Sequence, residues 1–181
     1  MSYYGSLSGA NSYFENRLHS DAWGDSTPSD RPKALTEATQ IIDSLQYRGV
    51  KHSVWLIMYE YSEYYEHEIK KTVDTPNREQ IITADQSQEL EFPRGKDTTV
   101  PQEIEWACYE IAYALIEGFD AEDAMTNLSV KRQAYAAVRT TYTEDSAAQE
   151  YLVYGIPTAR VWRWLQPYLA LDRLIRTRRA D

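Results

Sequence analysis

Cysteine is almost missing from this 181-residue chain: Cys108 stands alone, so no intrachain disulfide can form. It falls among apolar residues at helical spacing, where a thiol serves as a small packed side chain. A reactive thiolate needs a cationic, partly exposed setting, and the neighbouring sequence offers none. Histidine is nearly as scarce. His19, His52 and His67 form no H-x-x-x-H pair, and a zinc site needs three or four ligands, so no metal site is expected. His67 with Glu63 four residues earlier reads as an exposed helical ion pair. The Gly-rich phosphate loops G-x-x-x-x-G-K-[ST] and G-x-G-x-x-G do not occur, nor does the G-x-S-x-G nucleophile elbow. No catalytic residue and no cofactor is therefore expected, and the chain reads as no enzyme. The opening MSYYGSLSGANSYF lacks the basic and apolar regions of a secretory leader, and no apolar run reaches membrane-spanning length. A soluble protein made in a reducing compartment is the expectation.

Aromatic residues, in contrast, are abundant: fifteen Tyr and five Trp. Aromatics with a polar handle are enriched at protein interfaces. Net charge is −9, which argues against generic nucleic-acid affinity. The charge is uneven. Residues 156–181 carry six Arg against two Asp, or +4, while the first 155 residues carry thirteen bases against twenty-six acids, or −13. An acidic body with a basic end suggests an interaction arm.

Hydropathic periodicity predicts a mainly α chain. Ser8 is placed to cap a first helix bearing Ala10, Tyr13, Phe14 and Leu18. Gly24 to Pro32 reads as loop. A second helix opens near Pro32, with Asp30 or Ser29 as cap, carries Leu35, Ala38, Ile42 and Leu45, and ends at Gly49. His52 to Lys71 reads as helix through Val54, Ile57, Met58, Tyr61, Tyr64 and Tyr65. A short helix is expected over Arg78–Asp85, then a loop over 87–100. Pro101 suits the first turn of a helix running to 117, and Gly118 suits its end. That helix carries two apolar stripes: Ile104, Ala107, Cys108, Ile111, Ala112 and Leu115, and, roughly opposite, Trp106, Tyr109, Tyr113 and Ile116. Two stripes fit either a buried central helix or a subunit whose second face meets a neighbour. Asp120 is placed to cap a short helix through Leu128. Residues 129–142 are β-prone and suit a small hairpin or an extended arm. Pro157 opens a last helix with Val161, Leu165, Tyr168 and Leu169 in line, and Pro167 should interrupt it. Within the β-prone stretch, Lys131, Arg132, Tyr135, Arg139 and Tyr142 interleave bases with aromatics, as a single-strand-binding surface does. In so acidic a body, a polar hairpin or an arm lying on a neighbour is the plainer reading.

The order of short motifs is familiar. Tyr13, Phe14 and Trp23 precede Leu45-Gln46-Tyr47-Arg48-Gly49. Then come Leu90-Glu91-Phe92-Pro93-Arg94, Val100-Pro101 with Ala107-Cys108, Val138-Arg139-Thr140-Thr141-Tyr142, and Gly155-Ile156-Pro157 with Trp162, Leu165 and Pro167-Tyr168-Leu169. In this order the chain resembles small tailed-bacteriophage proteins often labelled DnaT-like single-stranded-DNA-binding, and the head-to-tail connector (adaptor) proteins of phage necks. The likeness spans roughly residues 8–50 and 87–169. Residues 52–86 look like an insertion, and the tail past Leu169 is longer than the shared pattern.

The resemblance implies a small helical bundle with a short hairpin or arm at 129–142 and a C-terminal docking tail. It divides the chain into an adaptor body over 1–155, with the insertion at 52–86, and a C-terminal helix with basic arm over 156–181. The implied function is a virion structural protein of the neck, made in the host cytoplasm. Such subunits form rings of about a dozen copies closed by heterologous contacts. The ring docks under the portal protein, receives the next neck or tail protein, and lets DNA pass through its lumen with only transient contact. No membrane partner is implied. On this reading Trp162, Trp164, Leu165, Arg173, Arg176, Arg178 and Arg179 dock the portal. Trp106, Tyr109, Tyr113 and Ile116 make the subunit–subunit interface. Lys131, Arg132, Tyr135, Arg139 and Tyr142 contact DNA or a neighbour. The alternative label implies a single-stranded-DNA-binding replication accessory.

Overall fold

The structure is a computed structural model that describes residues 2–67, 76–129, 132–135, 138–141 and 150–170, with side chains described over 2–59, 76–126 and 150–170. Among these residues the chain is mainly helical: α1 (Leu7–Glu15), α2 (Asp21–Asp25), α3 (Asp30–Asp43), α4 (His52–His67), α5 (Arg78–Ser87), α6 (Gln102–Ile116), α7 (Ala121–Ser129), α8 (Glu150–Val153) and α9 (Ala159–Leu165). A single antiparallel hairpin pairs β1 (Arg132–Tyr135) with β2 (Val138–Thr141), Arg132 opposite Thr141 and Ala134 opposite Arg139.

Helix α6 is the axis, packed against α3, α9 and α2. Every residue from Ala107 to Ala114 is buried. The small side chains Ala107, Cys108 and Ala112 let Leu35, Ala38 and Ile42 of α3 come close. The α9 side contributes Val161 and Leu165, both fully buried. Each large aliphatic side chain buried in this way contributes about 1.5–3 kcal/mol. That supply of apolar surface fixes α6 at the centre even though its sequence also contains Glu105 and Glu110. Gly118, at φ 86°, ends the helix: Phe119 N–H reaches back to Ala114 O at 2.9 Å and Gly118 N–H to Leu115 O at 3.0 Å.

Local signals set the other boundaries, with differences from expectation. Ser6, not Ser8, caps α1, its Oγ accepting from Gly9 N–H at 2.9 Å. The helix stops at Glu15, so Leu18 leaves the apolar face and is 84 % exposed. Part of the expected loop at 24–32 is helical, belonging to α2 and the start of α3. Helix α3 ends at Asp43, because the chain turns at Ser44 to insert Leu45 and Tyr47 into the core; Gly49, at φ 72°, serves the later turn instead. Asn77 and Gln80 form a reciprocal cap at the start of α5. Thr158, rather than Pro157, caps α9, accepting from Val161 N–H. Pro167 stops α9 after Leu165 and leaves one 3-10 turn over Gln166–Tyr168.

Candidate functional site

Three sequence motifs, each far from the others along the chain, meet beyond the end of α3. Tyr47 pairs with Leu169 in an isolated antiparallel bridge. On either side, Arg48 N–H donates to Tyr168 O and Ala170 N–H to Gln46 O, both at 2.9 Å. The Phe92 ring, buried behind a cis Phe92–Pro93 bond, meets Tyr47, Tyr168 and Tyr4 edge-on at centroid distances of 4.7, 5.4 and 6.0 Å. Such edge-to-face pairs align ring edges with the negative faces of their neighbours. Arg94 closes the knot: Nε donates to Arg48 O at 3.1 Å, one terminal nitrogen to Gly49 O at 2.7 Å, and the other pairs with Glu91. Its guanidinium also lies 5.6 Å over the Tyr47 ring. A planar fork with five donors is suited to tie two carbonyls, a carboxylate and a ring at once. The basic C-terminal segment therefore departs, after Ala170, from a point held by backbone and side chains of three segments.

The N-terminal strap supports this knot. Tyr4 is fully buried; its hydroxyl donates to Asp43 and accepts from Phe92 N–H at 3.3 Å. Burial pushes the Asp43 carboxyl above the ordinary aspartate value. Burial, then the neighbouring Asp43, pushes the Tyr4 hydroxyl well above its own ordinary value. Lys51 lies 3.5 Å from Glu91 and 3.6 Å from Asp85, tying the start of α4 to the same corner.

A second polar cluster crosses the core. Glu110, only 6 % exposed, accepts from Tyr13 Oη at 2.7 Å, from Arg17 through Nε and a terminal nitrogen at 2.9 and 3.0 Å, and from Arg160 at 3.4 Å. The Arg17 guanidinium stacks 4.4 Å over the Tyr113 ring. The carboxylate is thus matched by charge and by donors from α1 and α9, with Arg17 in the segment following α1. That is how a buried anion is tolerated. With its lone pairs occupied, it has no free position for a proton-transfer partner. Cys108 is equally quiet: burial pushes its thiol up to about 12, and its sulfur rests 3.5 Å from Thr39 Oγ1 and 3.6 Å from Leu35 O. Among the described residues no group of three or more His, Cys, Asp and Glu is arranged to hold a metal ion.

The expected site residues divide into three groups. Tyr109 and Tyr113, assigned above to a subunit interface, lie 4 % and 7 % exposed inside this chain's own core. Tyr109 Oη accepts from Ser6 N–H, and Tyr113 Oη donates to His19 O at 2.8 Å. Trp106 and Ile116 pack on the same core, half-buried. The second stripe of α6 thus meets the N-terminal helices of its own chain rather than a neighbour. The same correction applies to the portal-docking anchors. Leu165 is fully buried and Trp162 is 8 % exposed, with Trp164 packed against Trp106 at 5.9 Å. Residues 156–170 thereby belong to the body, so a boundary at 155 cuts through a packed unit. Arg173, Arg176, Arg178 and Arg179 lie outside the described residues, as do Lys131 and Tyr142. Arg132, Tyr135 and Arg139 have their backbones in the hairpin. Sequence reasoning passed over Glu110, Arg17, Tyr4 and Asp43. One signal was present for Glu110, a lone carboxylate inside an otherwise apolar helical run; the others carry none.

In comparisons with known proteins, no protein family, curated protein or solved structure matches this chain. None of the described helices is long and apolar enough to cross a membrane.

Proposed function

We propose that this chain is a structural subunit of a phage head-to-tail adaptor ring, docking under the portal through its C-terminal basic arm while DNA passes through the lumen. The observation that carries the reading is the knot itself. The Leu45–Gly49, Leu90–Arg94 and Pro167–Leu169 motifs, which define the resemblance, are the segments that interlock around Phe92 and Arg94. Their common purpose is to brace the root of the arm. A braced root lets four arginines (173, 176, 178 and 179) reach an acidic partner surface without strain on the body. Arginine suits that task through bidentate pairing with carboxylates. The acidic body supports the lumen role, since like charge keeps DNA sliding rather than stuck.

The intersubunit contacts of such a ring need two unlike patches. With the α6 stripe internal, the exposed apolar side chains available are Leu18 after α1 and Val153 with Tyr154 after α8, where Tyr154 stacks on Trp162 at 5.4 Å. Deleting residues 171–181 is expected to abolish cosedimentation with the portal protein of the same virus while leaving the far-ultraviolet circular dichroism unchanged. Retained portal binding sinks the arm's role. A parallel gel shift separates the alternative: tight, steeply salt-dependent binding of single-stranded DNA marks a replication accessory.

A further inference from the structure

Helices α4 and α5 enclose a groove of about 660 Å³ that no described segment fills. Leu56, Ile57 and Ala84 form its apolar floor, with Ser53, Thr83 and Glu79 among its polar edges. Leu56 and Ile82 are 41 % and 43 % exposed, unusual for large aliphatic side chains on a packed helix pair. Over residues 52–87 the sequence holds seven acids (Glu60, Glu63, Glu66, Glu68, Asp74, Glu79 and Asp85) against three bases (Lys70, Lys71 and Arg78), or −4. The segment 171–181, LDRLIRTRRAD, has the complementary character. Leu171, Leu174 and Ile175 recur at i, i+3 and i+4, and four arginines against two aspartates give +2. The roots are close together. Ala170 is bonded to Gln46 O, Arg94 joins Arg48 and Gly49, and His52 N–H at the start of α4 donates to Pro93 O at 3.0 Å. Eleven residues reach about 36–40 Å when extended, more than twice the roughly 15 Å length of a ten-residue helix such as α5.

From apolar match, opposite charge and reach, we infer that in the free subunit the C-terminal segment 171–181 lies in its own α4–α5 groove. Leu171, Leu174 and Ile175 face Leu56, Ile57 and Ala84, and the arginines meet the acids of the 52–87 insertion. Tethering raises the local concentration of the segment, so modest contacts suffice. The groove is then an intramolecular dock that keeps the apolar side of the tail from solvent. This dock stands apart from the portal reading, because it requires only the chain itself.

The test uses the full chain with Ala180→Cys carrying a nitroxide; buried Cys108 escapes the label. Amide signals of Ser53–Ile57 and Gln80–Ala84 are expected to lose intensity, to regain it when the nitroxide is reduced, and to regain it in the Arg176→Glu, Arg179→Glu double variant. The loss should persist on dilution with unlabelled chain. Full intensity throughout 52–87 overturns the dock. So does loss seen only in unlabelled chains mixed with nitroxide-bearing ones, which assigns the groove to a second copy. Portal cosedimentation of the same samples is scored separately, so either reading can fail alone.

Discussion

At the scale of single residues, the energetically decisive group is Glu110. A carboxylate this buried is stable only with its donors in place, and the donors are unequal. Arg17 is 22 % exposed and offers two short hydrogen bonds, whereas Arg160 is 57 % exposed with one bond at 3.4 Å. Removing one partner of a buried pair leaves an uncompensated charge at about 3–5 kcal/mol. Losing an exposed partner costs under about 1 kcal/mol. Glu110→Ala is therefore expected to lower unfolding stability by roughly 3 kcal/mol, and Arg160→Ala by less than about 1 kcal/mol, in urea titrations. Equal effects would mean that Arg160 carries the charge balance and that the observed geometry misranks the donors. Gly5 shows a different kind of residue constraint. At φ 75°, a Cβ there would sit 2.1 Å from Tyr109 Oη, so the strap that brings in Tyr4 requires glycine.

Elements were legible wherever one signal dominated. The α6 periodicity with Pro101 before it and Gly118 after it, and the interruption at Pro167, are local features that tertiary context had no reason to override. Cap positions were less legible. Ser6 and Ser8 compete for the same start, and the choice is decided by Tyr109 Oη, which accepts from the Ser6 N–H and stands 103 residues away. The α6 second stripe was read correctly as apolar, but its covering was not, because periodicity reports that a face is buried and never by what. The C-terminal element was misjudged for a related reason: Trp162 and Leu165 fit an exposed anchor and a core position equally well until α6 is seen beside them. The distinction between body and arm lies at Ala170. Truncation after Ala170 is expected to leave the urea midpoint unchanged. Truncation after Leu165 removes buried Leu169, the two backbone bonds to Gln46 and Arg48, and the Tyr168 edge against Phe92. Its expected cost is roughly 3–5 kcal/mol from one aliphatic burial and the lost hydrogen bonds. Like midpoints for the two truncations would return the 166–170 turn to the arm.

For the whole molecule, the tyrosine excess acquires a structural meaning that composition alone did not supply. Fifteen tyrosines suggested interfaces, but Tyr4, Tyr47, Tyr109 and Tyr113 are buried, and their hydroxyls bond to Asp43, Ile42 O, Ser6 N–H and His19 O. They act as rigid apolar plates with one polar tip, each joining segments distant in sequence. This has a consequence at high pH. Burial raises the hydroxyls of Tyr4, Tyr13, Tyr47, Tyr109, Tyr113 and Tyr168 above their ordinary value of 10.0, so in the folded chain they keep their protons where the unfolded chain loses them. A raised value contributes stability in full below the unfolded value, and that contribution is lost as pH rises beyond it. Unfolding stability is therefore expected to fall steeply above about pH 10, with tyrosinate absorbance rising in one step coincident with loss of the helical circular dichroism signal. A Tyr4→Phe variant keeps the ring against Phe92, loses the bond to Asp43, and should show a shallower alkaline slope from a lower starting stability. Gradual tyrosinate formation well before the helical signal changes would place these hydroxyls in solvent, and with them the aromatic plates that hold α1, α3 and α6 together.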